Sequence, residues 1–239
     1  MIEIKNLTVR FGGVVSINDM SVTFPGGTCG LIGPNGAGKT TFFNVLSGFV
    51  TPAEGSVTAY GDDLLALPDF RRARWGVRRT FQTEQAIEAL SVHDNVLTMF
   101  EHSTKVGRAA KAKAVADALE LTGLADKARF PVGTLAASDR RLVEVARAVV
   151  GNPRVVLLDE PAAGLPEEET GRLAEVIKQI PAVSGATAIV VEHDMSLVQS
   201  CCTTTAVLNF GSLLAYGPTA EVLRDPRVLE AYVGSEDDL

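Results

Sequence analysis

Cysteine is scarce in this chain: Cys29, Cys201 and Cys202 are the only three in 239 residues. Three thiols form neither an even disulfide framework nor a metal-binding spacing, so reduced thiols in a cytosolic setting are expected. The adjacent Cys201 and Cys202 read as small buried hydrophobes in preference to a redox pair. Long apolar runs are missing as well. With no stretch of about 18 apolar residues, no segment is expected to span a bilayer. The opening MIEIKNLTVR alternates like a strand and lacks the apolar core of a secretory leader. An excess of basic charge is also absent. Lys and Arg number 22 against 29 Asp and Glu, a net charge of −7, which argues against nucleic-acid binding through a broad basic surface. One local cluster, Arg71, Arg72, Arg74, Arg78 and Arg79, reads equally as a solvated face or a basic patch. No internal repeat or low-complexity tract is evident, and the tail SEDDL reads as a solvated acidic end.

What is present is an ordinary globular composition, 46% apolar and 21% charged, in a chain long enough for a substantial core. Residues 2–10, MSVTF (20–24), TCGLI (28–32) and GSVTAYG (55–61) read as strands separated by Gly- and Pro-containing turns. Between about 83 and 137 strand signals vanish. There RAAKAKAVADALELTGL places Val115, Ala118, Leu119 and Thr122 on one helical face. Later, a helix lined by Leu142, Val145, Ala146 and Val149 precedes VVLLDE, and ATAIVVEH (186–193) follows as a second buried strand. Uninterrupted apolar strands alternating with helices predict an α/β fold with a mostly parallel sheet covered on both faces. The expected organisation is a single domain over 1–239: a core of 1–82 and 139–239, an antiparallel β region at its N-terminal side, and an inserted helical subdomain over 83–138.

The residues that carry chemistry begin with GPNGAGKTT. Gly33, Pro34, Asn35, Gly36, Ala37, Gly38, Lys39, Thr40 and Thr41 fit G-x-x-x-x-G-K-[ST] between a strand and a helix. Glycines let backbone N–H groups converge on phosphate oxygens, and the helix N-terminus adds a favourable dipole. Lys39 is placed to reach the β- and γ-phosphates, Thr40 to ligate Mg²⁺, and Thr41 to donate to a phosphate. VVLLDE then brings Asp159 to the carboxyl end of a buried strand, where open α/β sheets bind ligands. Asp159 suits the metal, directly or through water, and Glu160 suits a base acting on the attacking water. Gln82 in RTFQ and His193 in VVEHDM are further polar candidates, and Phe11, 28 residues before Lys39, is an aromatic candidate for stacking on adenine.

Taken in order over nearly the whole chain, these motifs resemble the ATPase subunits of ABC transporters, a P-loop NTPase fold. The resemblance implies roles: Phe11 for adenine, Gly33–Thr41 for phosphates, Gln82 for Mg²⁺ and coupling, Asp159 for the metal, and Glu160 with His193 for catalysis. It implies ATP and Mg²⁺ as cofactors, and a peripheral place on the cytoplasmic side of the inner membrane. The implied partners are a second ATPase subunit, permease subunits and, indirectly, a substrate-binding protein, with no nucleic acid. EPAAGL, VEHDM and the ending GPTAEVLRDPRVLEAYVG are similar to the subunits of branched-chain amino acid importers. Related subunits serve amides, urea, aromatic acids and lipids, and a weakly hydrolysing regulatory subunit is a competing reading.

Two places depart from the family pattern. An L-S-G-G-Q-like signature, which contacts nucleotide on the facing subunit, is replaced by LAASD: Ala136 for Ser, Ala137 and Ser138 for the glycines, Asp139 for Gln. Asp139 is expected to oppose an approaching phosphate, and Ser138 to cap the following helix. Pro166 stands where Asp or Asn is usual. Because each site is shared between two chains, LAASD bears on the partner's site, and the expectation is an asymmetric heterodimer.

Overall fold

The computed structural model describes residues 1–101, 106–151 and 153–233; the acidic tail SEDDL lies outside them. Among the described residues ten strands follow one another: β1 (Ile2–Phe11), β2 (Val14–Phe24), β3 (Thr28–Ile32), β4 (Glu54–Ala59), β5 (Asp62–Asp63), β6 (Val77–Arg79), β7 (Val155–Asp159), β8 (Thr187–Val191), β9 (Thr204–Asn209) and β10 (Ser212–Pro218). The helices are α1 (Lys39–Ser47), α2 (Asp69–Trp75), α3 (Val92–Glu101), α4 (Arg108–Leu121), α5 (Ala137–Val149), α6 (Glu167–Ser184), α7 (Met195–Cys201), α8 (Thr219–Val222) and α9 (Pro226–Val233).

Two sheets result. An antiparallel one has the order β2-β1-β4-β5; a larger one has the order β10-β9-β3-β8-β7-β6. In the larger sheet β6, β7, β8, β3 and β9 pair in parallel, and only β10 runs antiparallel at the edge. Strands β3, β7 and β8 are buried along their whole length, as sheets covered on both faces require. The two-residue period of a strand divides them between two cores. Val155, Leu157, Ile189 and Val191 face one core together with Phe42, Phe43, Val45 and Leu46 of α1 and Ile2, Ile4 and Val57 of the antiparallel sheet. Val156, Leu158, Ala188 and Val190 face the other, with side chains of α3 to α7. Helix α1 is thus clamped between the sheets, which fixes the loop that feeds it.

Residues 83–138 hold α3, α4 and two 3-10 turns, Ala125–Lys127 and Val132–Thr134, with one isolated bridge between Ser91 and Pro131. Val115, Ala118, Leu119 and Thr122 are all buried. Among the described residues, no helix is long and apolar enough to cross a membrane. All three cysteines are buried free thiols. Burial raises the Cys29 pKa, and that of Cys202 is raised by its contact with the Cys201 sulfur, 3.7 Å away, and by burial.

The arginine cluster is a solvated face only in part. Arg71 and Arg74 are exposed beside the Phe70 ring. Arg72 and Arg78 are buried and donate to backbone carbonyls, Arg72 to Val45 and Leu67, Arg78 to Ala73. Arg79 is drawn inward to an acid. Helix α5 also corrects the expected cap. Its N-cap is Ala136, with no side-chain hydrogen bond, and Ser138 sits inside the first turn. The ladder already starts at Arg140 N–H to the Ala136 carbonyl, 3.0 Å, because Leu135 packs against the core and the 3-10 turn before it delivers an extended residue at 136.

Candidate functional site

The loop 33–38 joins β3 to α1, and its shape demands glycine. At Gly33 (φ 149°) an added Cβ would lie 2.1 Å from the Leu208 carbonyl oxygen; at Gly38 (φ 105°) it would lie 2.6 Å from that of Ser16. The loop is braced from both sheets. Ser16 Oγ and Thr41 Oγ1 are 2.7 Å apart, Gly211 N–H donates to the Ala37 carbonyl at 3.1 Å, and the Gly211 carbonyl accepts from Asn18 N–H at 2.8 Å. Asn35, Gly36 and Thr40 are exposed, Pro34 and Thr41 half-buried, Gly33, Ala37, Gly38 and Lys39 buried. Lys39, only 6% exposed, donates from Nζ to the carbonyls of Gly33 at 2.6 Å and Pro34 at 2.9 Å. Burial lowers its pKa, while Glu160 and Asp159 act in the opposite direction. Phe11 is 51% exposed at the end of β1, opposite Val14, on the hairpin whose return strand carries Ser16 over the loop.

The acids come from β7, two strands from β3 in the larger sheet. Asp159 is buried at its carboxyl end, its N–H donating to Thr80 Oγ1 at 3.1 Å. Its carboxylate is already engaged, by Arg79 Nη2 at 2.7 Å. Glu160 follows in the left-handed region at φ 48°, a conformation uncommon for a residue with a side chain. Its side chain lies between two others: Gln82 Nε2 donates to Oε2 at 2.9 Å, and His193 Nε2 is 3.0 Å from Oε1. Gln82, Glu160 and His193, predicted separately, are therefore one hydrogen-bonded cluster.

Sequence reasoning missed Glu192. It is buried, accepts from Ala162 N–H at 2.7 Å and from His193 N–H at 3.2 Å, and so ties the segment after Glu160 to the segment bearing His193. Burial raises its pKa. A lone acid before a histidine gave only a faint signal; an acid ending an otherwise apolar strand was the usable one. Arg79 was hidden inside the arginine cluster, three residues before Gln82.

The segment 135–139 is differently built. Ala136 and Ala137 are exposed, Ser138 half-buried, and Asp139 buried. Contrary to the expectation of a charge set against an approaching phosphate, Asp139 is paired internally: Lys127 engages Oδ2 and Arg172 Nη1 lies 2.9 Å from Oδ1. Burial alone would raise its pKa, but the hydrogen bonds and charges of Lys127 and Arg172 together outweigh it and hold the carboxyl below the usual range. The segment is thus tied to α6, which carries Arg172. Pro166 is exposed and serves as N-cap of α6 at φ −62°, an angle proline already prefers.

A glycine loop opening a helix, an acid-tipped strand in the same sheet and a polar cluster at the carboxyl ends of its parallel strands define a P-loop nucleotide-binding domain. The family model described as ABC transporter matches residues 17–163, and the chain belongs to that family; it is an ABC ATPase. A second model, Branched-chain amino acid ATP-binding cassette transporter, matches residues 212–238. The chain is 36% identical to the high-affinity branched-chain amino acid transport ATP-binding protein LivG of Escherichia coli (strain K12), covering 98% of each. It is 35% identical to the corresponding protein BraF of Pseudomonas aeruginosa, again over 98% of each. In structure it is similar to the ADP conformation of an ATP-binding cassette of an ABC transporter, with TM-score 0.85, 26% identity and 98% of each chain covered.

Proposed function

We infer that this chain hydrolyses Mg-ATP to power uptake of a branched-chain or related amino acid, as a peripheral subunit on the cytoplasmic face of the inner membrane. The single observation that carries the chemistry is Glu160 held between Gln82 and His193 beside the buried Lys39. The cargo class rests on the likeness to LivG and BraF.

A magnesium ion fits the residues present. Among the described residues no three His, Cys, Asp or Glu side chains converge as a metal-binding group, and a hard cation here would rest on one carboxylate, one hydroxyl, one side-chain amide oxygen and phosphate oxygens, donors of the kind Mg²⁺ accepts. Asp159, Thr40 and the Gln82 amide would hold it. When bound it neutralises charge developing on the transferred phosphoryl group. Lys39 exchanges the carbonyls of its own loop for the β- and γ-phosphates. Loop N–H groups and the start of α1 cradle the phosphates, and Phe11 stacks on the adenine. Glu160 takes the proton of the attacking water, and His193 contacts the γ-phosphate while orienting Glu160.

Two partner surfaces follow. A cavity of about 460 Å³, lined in part by Phe49, Phe70, Arg74, Phe81 and Met99, opens beside the Gln82 segment and suits insertion of a permease element. The second ATPase subunit supplies the signature for this chain's site and receives LAASD in its own. With Ala136 in place of a serine donor and Asp139 paired internally, that second site is the impaired one, so the pair is heterodimeric and asymmetric. The weakly hydrolysing regulatory reading draws on the same LAASD segment. ATP turnover of the chain alone, then with a partner bearing an intact signature, decides: strong stimulation is expected, and full turnover of the chain alone overturns the asymmetric pair. Glu160→Gln abolishes transport if this site does the work and leaves it unchanged if the subunit is regulatory.

A further inference from the structure

We propose that Arg79 is a positioning residue that holds the Asp159 carboxylate against cations and links it to the Phe49–Phe81 groove. The proposal rests on the reading of Asp159 as a magnesium ligand. Both side chains are 7% exposed, and Arg79 Nη2 lies 2.7 Å from Asp159 Oδ2. Arg79 Nη1 donates to Asn44 Oδ1 on α1 at 2.7 Å. Its guanidinium carbon stands 5.5 Å from the centre of the Phe43 ring and 5.1 Å from that of Phe81. Phe81 in turn stacks on Phe49, with centroids 6.3 Å apart and an interplanar angle of 29°. Phe49, Phe81 and Arg79 all line the same 460 Å³ cavity.

The arrangement joins two properties. A guanidinium bound to a carboxylate competes with a divalent cation for the same oxygens and repels it. The side chain is also incompletely satisfied: Arg79 Nε is buried without a hydrogen-bond partner, so this geometry is not the best one available to the group. Between Arg79 and Phe81 the backbone is pinned, because Thr80 N–H donates to the Leu157 carbonyl at 2.9 Å and Thr80 Oγ1 accepts from Asp159 N–H. Adjustment therefore falls to side chains. Whatever moves Phe81 in the groove unstacks one face of Arg79 and loosens its hold on Asp159. By reciprocity, a cation taking Asp159 favours the groove state in which that stack is broken.

The experiment reads the apparent dissociation constant for Mn²⁺ from the free-ion electron paramagnetic resonance signal, using the full chain in excess over a non-hydrolysable ATP analogue. Asp159→Asn tests the underlying reading: at least tenfold weaker Mn²⁺ binding is expected, and an unchanged constant would refute the metal assignment itself. With that arm positive, Arg79→Met is expected to tighten Mn²⁺ about tenfold. Phe81→Leu, which leaves Arg79 and Asp159 in place, is expected to tighten it about threefold. Binding within twofold of the parent, or weaker, in Arg79→Met overturns the proposal. Should Arg79→Met fail to fold, as judged by its thermal melt, Phe81→Leu decides alone by the same limit.

Discussion

Two helix starts in this molecule face the same physical problem and solve it in opposite ways. Helix α1 begins after Gly38 and helix α5 after Ala136, and neither N-cap supplies a side-chain hydrogen bond. Both therefore present unpaired backbone N–H groups and a positive dipole end. At α1 there is no acid in the first turn, a buried lysine follows the cap, and the preceding glycines curl the chain. At α5 the first turn contains Asp139, and its charge is consumed by Lys127 and Arg172. Backbone geometry alone thus does not make an anion site; side chains decide whether the helix start is offered to a ligand or built into the fold.

The strongest test of this contrast removes the proposed base. Glu160→Gln is expected to cut ATP turnover by about 10²- to 10⁴-fold while nucleotide binding persists, measured by phosphate release and by binding of a fluorescent ATP analogue. Lys39→Ala comes next. Loss of a charge-assisted contact to phosphate weakens nucleotide binding by roughly 10- to 100-fold, with the fold intact by circular dichroism.

At the other helix start the expected effect is on stability. Asp139→Ala strands two cations that remain partly exposed, 33% for Lys127 and 44% for Arg172. A cost of about 2 kcal/mol, discounted from the fully buried case, lowers the thermal midpoint by about 4–8 °C. Nucleotide affinity of the chain's own loop should not change; if it falls tenfold, the two helix starts are not independent. The pH dependence has a defined sign. A carboxyl whose folded pKa is depressed stabilises above its unfolded value, about 3.9, and loses that contribution as pH falls through the folded value. The gap in thermal midpoint between parent and Asp139→Asn is therefore constant from neutrality to about pH 5 and closes below about pH 4. Smallest of all, Pro166→Asn should change stability by under about 1 kcal/mol, because Pro166 is exposed at an N-cap.

The fold was largely legible because its signals are local. Two-residue alternation, apolar runs at β7 and β8, and the glycines of residues 33–38 each dictate their own conformation. Gln82, Asp159, Glu160 and His193 could be picked from their motifs. Their joining into one cluster could not, since it depends on how β7 and β8 align. Asp139 was misjudged for the same reason: its partners stand 12 and 33 residues away, and no pattern within a helix turn announces them. The Ser138 cap failed because a helix start is set by where the preceding chain packs, here Leu135, as well as by the best capping side chain. Arg79 shows the limit most clearly. A cluster of five arginines looks like surface, and only the tertiary fold separates the exposed pair from those buried against carbonyls and an acid.

The three buried thiols have a practical corollary. Thiol-directed probes need an accessible thiolate, and Cys29, Cys201 and Cys202 are all enclosed. A single cysteine introduced at the exposed Ala137 would take a fluorescent or spin label against a nearly silent background. The label would then test, without disturbing Asp139, whether the proposed second subunit covers that helix start.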